Sequence, residues 1–291
     1  CIALISFVLL RIMEELKDKI KKKVINNSYE KKRSMLYDKE VDLIFQAVLE
    51  SDNIDDLAIK IKLKMVRKLF RESNYKAAGE YLDDLWKNRE LLSKKDLHNV
   101  MINKGIILIN SGNYDKALEI FEDLKSNDNK MTSCNGKIYM AITYIYITKN
   151  TGRKYLDEAE ELLNQALSEL KPAQKAGHFK ILMNLATIYF ERGKFDESLE
   201  YLKKSLDCIS IEQHKAEVYT DMARIFIIKS QMEIAQDYLD MAERIFTKTD
   251  SYSEVMLAWN LFVRGLWYKK EGKFTNAINC LELSLSAFVD K

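Results

Sequence analysis

Apolar residues recur along this chain at helical spacing, in segments that come in pairs. In the best-defined pair, one apolar stripe runs from Leu182 to Tyr189, Gly193 interrupts it, and a second stripe runs from Phe195 to Leu206. Apolar positions three and four residues apart lie on one face of an α-helix, and glycine commonly ends a helix. The pattern therefore predicts two helices joined by a short turn.

The paired pattern occurs six times, and each copy carries a small residue in its second helix. These residues are 39, 42, 39, 37 and 42 positions apart, at Ala78, Ala117, Ala159, Ser198, Ala235 and Ala277. A period near 40 is typical of solenoids. We expect an all-α, right-handed superhelical solenoid of about six helix-turn-helix hairpins over residues 56–291. The predicted hairpins span residues 56–88, 96–126, 136–171, 178–209, 214–247 and 254–289.

Some copies depart from the pattern. The third contains extra residues at 148–154, which we expect to lengthen its internal turn, and Pro172 is expected to stop its second helix. Ser73 and Ser230 stand where other copies have the turn glycine. A single proline and nine glycines in 291 residues agree with a nearly all-helical chain.

The net charge does not favour nucleic acid as a general partner, because the 46 basic side chains are nearly balanced by 44 acidic ones. An excess of basic residues is local, between Arg11 and Arg33. It indicates a solvated helix face, with two alternatives left open: membrane contact through residues 1–33, or contact with a phosphate backbone. Residues 1–55 are expected to be an N-terminal helical segment, the remnant of an upstream domain or anchor. Residues 2–10 carry no charge but are too short to span a bilayer alone.

No catalytic or metal-binding constellation is visible. The four cysteines are far apart without a CxxC pair, and the three histidines fall in different copies without ligand-spaced partners. Glycine-rich phosphate loops and the GxSxG motif are absent. The sequence therefore predicts a protein that is not an enzyme and has no cofactor or metal, and the unpaired cysteines favour a reducing, cytoplasmic location.

The expected ligand site is the groove formed by the first helix of each hairpin. Its candidate peptide-binding residues are Asn99, Asn103, Lys180, Asn184, Thr187 and Arg224, and Asn110, Glu191 and Thr220 also flank the column of small residues in these helices. An asparagine amide offers a donor and an acceptor to one peptide unit, and Arg224 or Lys180 suits a carboxylate. The alternative is that the amides only satisfy local backbone. Trp86, Trp259 and Trp267 are expected to be core residues more than ligand anchors.

The columns of small and aromatic residues resemble the tetratricopeptide repeat, most closely in the second, fourth and sixth copies. The last two copies also resemble the RNPP family of peptide-pheromone receptors, which includes Rap phosphatases and transcription factors. The matching residues are Lys215, Ala216, Glu217, Met222, Gln231, Ala235, Asp237, Tyr238, Ala242, Ile245, Phe246, Tyr252, Leu261, Phe262, Ala277 and Ile278. This resemblance implies a cytoplasmic sensor whose groove holds a short extended peptide.

The chain departs from that family at its N-terminus. Residues 1–55 contain no helix-turn-helix, and the catalytic residues of the Rap phosphatases do not align to them. The favoured function is thus a non-catalytic peptide- or protein-binding scaffold, the ligand-sensing repeat domain of a bacterial pheromone-responsive regulator of transcription and quorum sensing. The alternative is a general protein-interaction scaffold, held at a membrane through a truncated N-terminal segment. A homodimer stays open, and nucleic acid is a partner only through a domain missing from this chain.

Overall fold

A computed structural model describes residues 54–71, 74–209, 211–248 and 254–289 of the chain. Within those ranges it contains twelve α-helices, one short 3₁₀-helix and no strand. This confirms the all-α class predicted from the helical spacing. No helix in the described part of the chain is both long and apolar enough to cross a membrane. Residues 2–10, where a truncated span was considered, lie outside the described residues.

The chain divides into two compact units, Cys1–Val100 and Met101–Lys291. In the first, helix α1 (Ile54–Arg71) packs on helix α2 (Tyr75–Lys87), and the 3₁₀-helix Arg89–Leu91 leads into helix α3 (Lys94–Asn110). The contact is apolar, since Leu63, Val66, Ala78 and Leu82 are buried. The predicted N-terminal segment 1–55 lies almost wholly outside the described residues, so its boundary stays a prediction.

The second unit contains the end of α3 and nine further helices. These are α4 (Tyr114–Lys125), α5 (Lys130–Thr151), α6 (Leu156–Glu169), α7 (Lys175–Glu191), α8 (Phe195–Leu206), α9 (Gln213–Ile228), α10 (Met232–Lys248), α11 (Glu254–Lys270) and α12 (Phe274–Val289). Helices α5 to α12 form four hairpins, and each hairpin packs on the next through α6–α7, α8–α9 and α10–α11. The first helices of neighbouring hairpins also touch, as α5 and α7 do and as α9 and α11 do.

Small residues allow the paired helices to approach closely. All six residues that mark the period are buried, and the most accessible, Ala277, is only 4% exposed. A Cβ atom added to Gly105 would lie 2.1 Å from Cζ of Phe121, and one added to Gly136 would lie 2.3 Å from the backbone nitrogen of Lys125. These contacts leave no room for a larger side chain at either glycine.

A residue in the left-handed backbone conformation ends the first helix of several hairpins. Gly112, Gly193 and Gly272 have φ angles of 75°, 73° and 72°, and Ser230 adopts the same conformation with φ 58°. After Ser230, the N–H of Gln231 donates to the carbonyl of Phe226 at 2.9 Å, which closes the end of α9. The serine thus makes the turn that its position predicts, in a conformation that glycine adopts more easily. The corresponding serine of the first copy, at position 73, lies outside the described residues.

The third predicted hairpin differs from its expected bounds. Helix α5 begins at Lys130 rather than near 136, because the Asn129 side chain accepts hydrogen bonds from the N–H groups of Met131 and Thr132. It continues to Thr151, so most of the extra residues at 148–154 extend the helix and only a short turn follows Gly152. The turn, residues 152–155, is longer than the three-residue turns at 111–113 and 192–194 as expected, but by one residue only. Helix α6 ends at Glu169, three residues before Pro172, as predicted.

Candidate functional site

A cavity of about 320 Å³ lies in the second unit, where the first helices of successive hairpins meet. Lys149 comes from the end of α5, Thr187 and Phe190 from α7, Asp221 and Arg224 from α9, and Trp259 from α11. These helices lie side by side because α5 touches α7 and α9 touches α11. Ser198 and Leu202 of α8 complete the lining, so the cavity combines aromatic surface with both signs of charge on five helices.

Arg224 is held between two aromatic rings. Its guanidinium carbon lies 3.8 Å from the centroid of the Phe190 ring and 5.2 Å from that of Trp259. Both distances fall in the range of cation–π contacts. Burial lowers the pKa of Arg224, and the nearby carboxylates of Asp221 and Glu191 oppose that shift. The group remains charged at any physiological pH.

Asp221 is the most perturbed carboxyl group of the cavity. Burial, followed by the negative charge of Glu217, raises its pKa to about 6. The indole N–H of Trp259 donates to Oδ1 of Asp221 at 2.9 Å, and this bond, together with Arg224 and Lys149, limits the rise. Asp221 thus changes charge close to neutral pH.

The remaining charged groups of the cavity are engaged locally. Nζ of Lys149 lies 3.5 Å from Oε1 of Glu191, and Nδ1 of His214 lies 3.3 Å from Oε2 of Glu217. Arg224 differs from them, because within the described ranges it forms neither a hydrogen bond nor an ion pair.

Two of the predicted site residues, Thr187 and Arg224, line this cavity together. Asn184 lies one turn before Thr187 on α7, and its Nδ2 donates to the carbonyl of Lys180 at 2.7 Å. The hydroxyl of Thr187 likewise donates to its own helix, at the carbonyl of Met183. These are the local backbone contacts considered as an alternative, and they leave the Asn184 amide oxygen available as an acceptor.

Lys180 does not join that cavity. Its Nζ donates to the hydroxyl of Tyr139 at 2.7 Å and lies 4.5 Å from the centroid of that ring. It borders a separate cavity of about 580 Å³ beside Met131 and the turn before α7. Asn99 and Asn103 are half-buried on α3. Asn99 belongs to the first unit and Asn103 to the second.

Thr220 is misplaced by the sequence prediction. It is 1% exposed, its hydroxyl donates to the carbonyl of Ala216, and it accepts a hydrogen bond from Nδ2 of Asn260 at 2.9 Å. It therefore joins α9 to α11 inside the core and does not face a groove. Thr220 aligns with Met183 of the preceding copy, 37 residues earlier, and so lies one position before the column of Asn184 and Asp221. One position on a helix turns a side chain by about 100°, which directs Thr220 into the core.

Trp267 and Trp259 differ in location, one in the core and the other at the cavity. Trp267 is a core residue as expected, 5% exposed with its indole N–H donating to the carbonyl of Met232. Trp259 lines the cavity instead, and Phe190, Asp221 and Lys149 were also not among the predicted site residues. Position in the repeat is the signal that identifies Asp221, since it follows Asn184 by 37 residues, the spacing between Ser198 and Ala235.

Metal-ligating residues do not converge in the described ranges, where no group of three or more His, Cys, Asp or Glu side chains has suitable geometry. His98, His178 and His214 lie on three different helices. The thiol of Cys134 is buried and donates to the carbonyl of Ala166 at 3.6 Å, and burial raises its pKa. A raised pKa keeps this thiol protonated and poorly nucleophilic.

Family models of the tetratricopeptide repeat match residues 98–130 and 177–248. These two stretches carry tetratricopeptide repeats. The second of these matches includes α7 and α9, which form much of the cavity. No curated protein matches the sequence.

Solved structures of repeat proteins share the fold. The Rap conjugation gene regulator of the plasmid pLS20, solved in complex with the Phr* peptide, is 12% identical with a TM-score of 0.59, over 95% of this chain and 94% of that one. TTC0263, a thermophilic tetratricopeptide-repeat protein of Thermus thermophilus, is 13% identical with a TM-score of 0.56, over 76% of this chain and 98% of its own. At such identities the likeness concerns the fold alone.

Proposed function

We propose that the second unit binds a short peptide in extended form, as the non-catalytic, ligand-sensing part of a pheromone-responsive regulator in the cytoplasm. The observation that carries the proposal is the cavity to which α5, α7, α9 and α11 all contribute. A ligand seated there contacts several successive hairpins at once. Stacked repeats commonly use such a surface for binding peptides and proteins.

The side chains around the cavity suit a peptide. Phe190 and Trp259 provide flat apolar surface for its side chains, and Arg224 provides hydrogen-bond donors. Asn184 does not line the cavity, but it lies one turn before Thr187 on α7, and its amide oxygen is available as an acceptor for a ligand that extends along that helix. Asn103, on the same column of an earlier hairpin, would extend the row of amides along a ligand backbone.

The similarity to the Rap conjugation gene regulator supports a peptide ligand, because that protein was solved with the Phr* peptide. Binding across α7, α9 and α11 would favour whichever arrangement of the hairpins contacts the peptide best. The ligand would then shift the population of hairpin arrangements without any chemical step. Such a shift is a sufficient means of signalling to an output surface.

The test uses the full chain and synthetic peptides corresponding to short reading frames beside the gene. A cognate peptide is expected to raise the midpoint of thermal unfolding in a concentration-dependent way, because it binds only the folded state. Asn103→Ala and Asn184→Ala should each weaken binding by about fivefold to tenfold, the cost of one hydrogen bond. Asn276→Ala, on the exposed side of α12, is the matched control.

Peptide binding and the role of the asparagine amides are tested by different outcomes. If no such peptide stabilises the protein or binds in calorimetry, peptide sensing is wrong. If a peptide binds and both asparagine variants behave like Asn276→Ala, the amide row is wrong while peptide binding stands.

A further inference from the structure

Four side chains that carry a carboxyl, ammonium or guanidinium group line the cavity, and three of them already have polar partners. Lys149 lies beside Glu191, Glu217 beside His214, and Asp221 accepts from Trp259. Arg224 alone among these four makes no hydrogen bond or ion pair to the part of the chain that the structure describes. A guanidinium has five N–H donors, and a partly buried cation without a partner is costly.

The stacking of Arg224 leaves those donors usable. The Phe190 ring centroid lies only 3.8 Å from the guanidinium carbon, so the ring occupies one face of the planar group. Stacking engages the face of a guanidinium, whereas its hydrogen bonds form in the plane. Since no side-chain nitrogen or oxygen is both fully buried and unsatisfied among the described residues, the Arg224 nitrogens remain open to the cavity. The aromatic contacts therefore position the guanidinium and leave its in-plane N–H donors free to bind a ligand.

We propose that Arg224 is the carboxylate-binding residue of the cavity, receiving either the C-terminal carboxylate of a bound peptide or an acidic side chain of it. This inference rests on the proposed peptide function and names the chemical group that the peptide must present. A planar carboxylate accepts two parallel N–H bonds from the edge of a guanidinium. Lys180 is excluded from this role, because its ammonium is engaged by Tyr139 outside the cavity.

The neighbouring charges favour a carboxylate over a phosphate. Asp221 and Glu217 also line the cavity, so a dianion would meet two negative side chains where a carboxylate brings only one charge. Asp221 does not neutralise Arg224 directly, because its carboxylate is directed to the indole of Trp259 on α11. Arg224 instead extends across Phe190 on α7. Asp221 and Arg224 still attract each other electrostatically, but no hydrogen bond or ion pair joins them within the described ranges.

The ligand-side experiment requires no mutation. Four pools of random synthetic heptapeptides are mixed with the full chain: free acids or C-terminal amides, each with or without Asp and Glu. Bound peptides are separated by size exclusion and identified by mass spectrometry. We expect retention from pools that contain a carboxylate and none from the amidated pool without acidic residues. Retention of free acids lacking Asp and Glu identifies the C-terminus as the group bound, and retention of amides only when they contain acidic residues identifies a side chain.

The protein-side experiment compares Arg224→Met with wild type, using a peptide recovered from the pools and its carboxamide analogue. Methionine removes the charge and keeps an unbranched stem against Phe190. We expect the variant to bind the carboxylate peptide about 10- to 100-fold more weakly, the range for a charged hydrogen-bonded pair, and to bind the carboxamide as wild type does. Arg153→Met, in an exposed turn, controls for the loss of one arginine.

Thermal unfolding without peptide verifies that Arg224→Met is folded, and the pool experiment remains decisive if it is not. Equal affinity of wild type and Arg224→Met for a carboxylate peptide, or equal retention of all four pools, would overturn the role of Arg224 and leave peptide binding intact. Failure of every pool would overturn peptide binding itself.

Discussion

At the scale of single residues, the main feature of the cavity is a pair of desolvated charged groups on one helix that contact aromatic residues on neighbouring helices. Asp221 and Arg224 lie three residues apart on α9, yet each has its main contact on a different helix, Trp259 on α11 and Phe190 on α7. Each therefore bears a desolvation cost that its neighbour only partly offsets. Burial accordingly raises the pKa of Asp221 and lowers that of Arg224.

The charge of Asp221 should make stability depend on pH. Its pKa is about 6 in the folded protein against an ordinary value of 3.8, so folding favours the protonated form and loses stability as pH rises from 4 to 7. Asp221→Asn removes that loss and retains an acceptor for Trp259. We expect the stability of the variant relative to wild type, measured by urea unfolding, to increase by about 2 kcal/mol between pH 4 and pH 7.5.

The exposed Asp128→Asn variant controls for removal of one negative charge. A difference between Asp221→Asn and wild type that stays constant across this pH range would show that Asp221 is not a desolvated carboxyl group.

Part of the site follows from position within the repeat. Thr187 and Arg224 were both predicted, and they are 37 residues apart, the spacing of their two copies. Asp221 occupies the column of Asn184, so a rule that accepted carboxylates as well as amides would have included it. Trp259 could not be chosen in this way, because which face of α11 borders the cavity depends on how the last hairpin packs. Thr220 was misplaced because it lies one position before the column of Asn184, where the preceding copy has Met183.

At the scale of helices, the ends are set by local chemistry that the sequence displays. The glycines at 112, 193 and 272 and the serine at 230 all take the left-handed conformation that their positions require. The start of α5 was missed because Asn129 was not recognised as its N-cap, although its side chain accepts two backbone N–H groups. Its C-terminal extension could not be predicted, since residues such as Thr148 and Lys149 are compatible with helix and turn alike.

Ser230 provides a direct measure of the cost of a left-handed turn. Replacing it by glycine should stabilise the protein by about 0.5–1 kcal/mol, because glycine relieves the Cβ strain but loses more conformational entropy on folding. Urea unfolding of Ser230→Gly measures the gain. The reciprocal Gly193→Ser should lose a similar amount, since nothing lies within 4 Å of a Cβ atom added there. Equal stability of both variants and wild type would contradict the strain argument.

At the scale of the second unit, contacts follow the order of the chain. From α5 onward, each hairpin packs against its neighbours in chain order, and the core divides into successive clusters shared between neighbours. The period of the small residues was enough to predict this arrangement, because a single helix pair cannot bury its own apolar faces. The position of the cavity could not be predicted from that period, because it depends on which side chains of several different helices converge.

Local stability within the second unit should be lower in α12 than in α7 and α9. Helices α7 and α9 lie between hairpins on both sides, whereas α12 packs mainly on α11 and leaves Phe274, Ile278, Leu283 and Leu285 more than half exposed. Opening α12 therefore breaks fewer apolar contacts, so its amides should exchange with deuterium at least about tenfold faster than those of α7 and α9. Hydrogen exchange measured by mass spectrometry compares them within one molecule, which serves as its own control. Uniform exchange from α7 to α12 would instead indicate that the unit opens as one cooperative body.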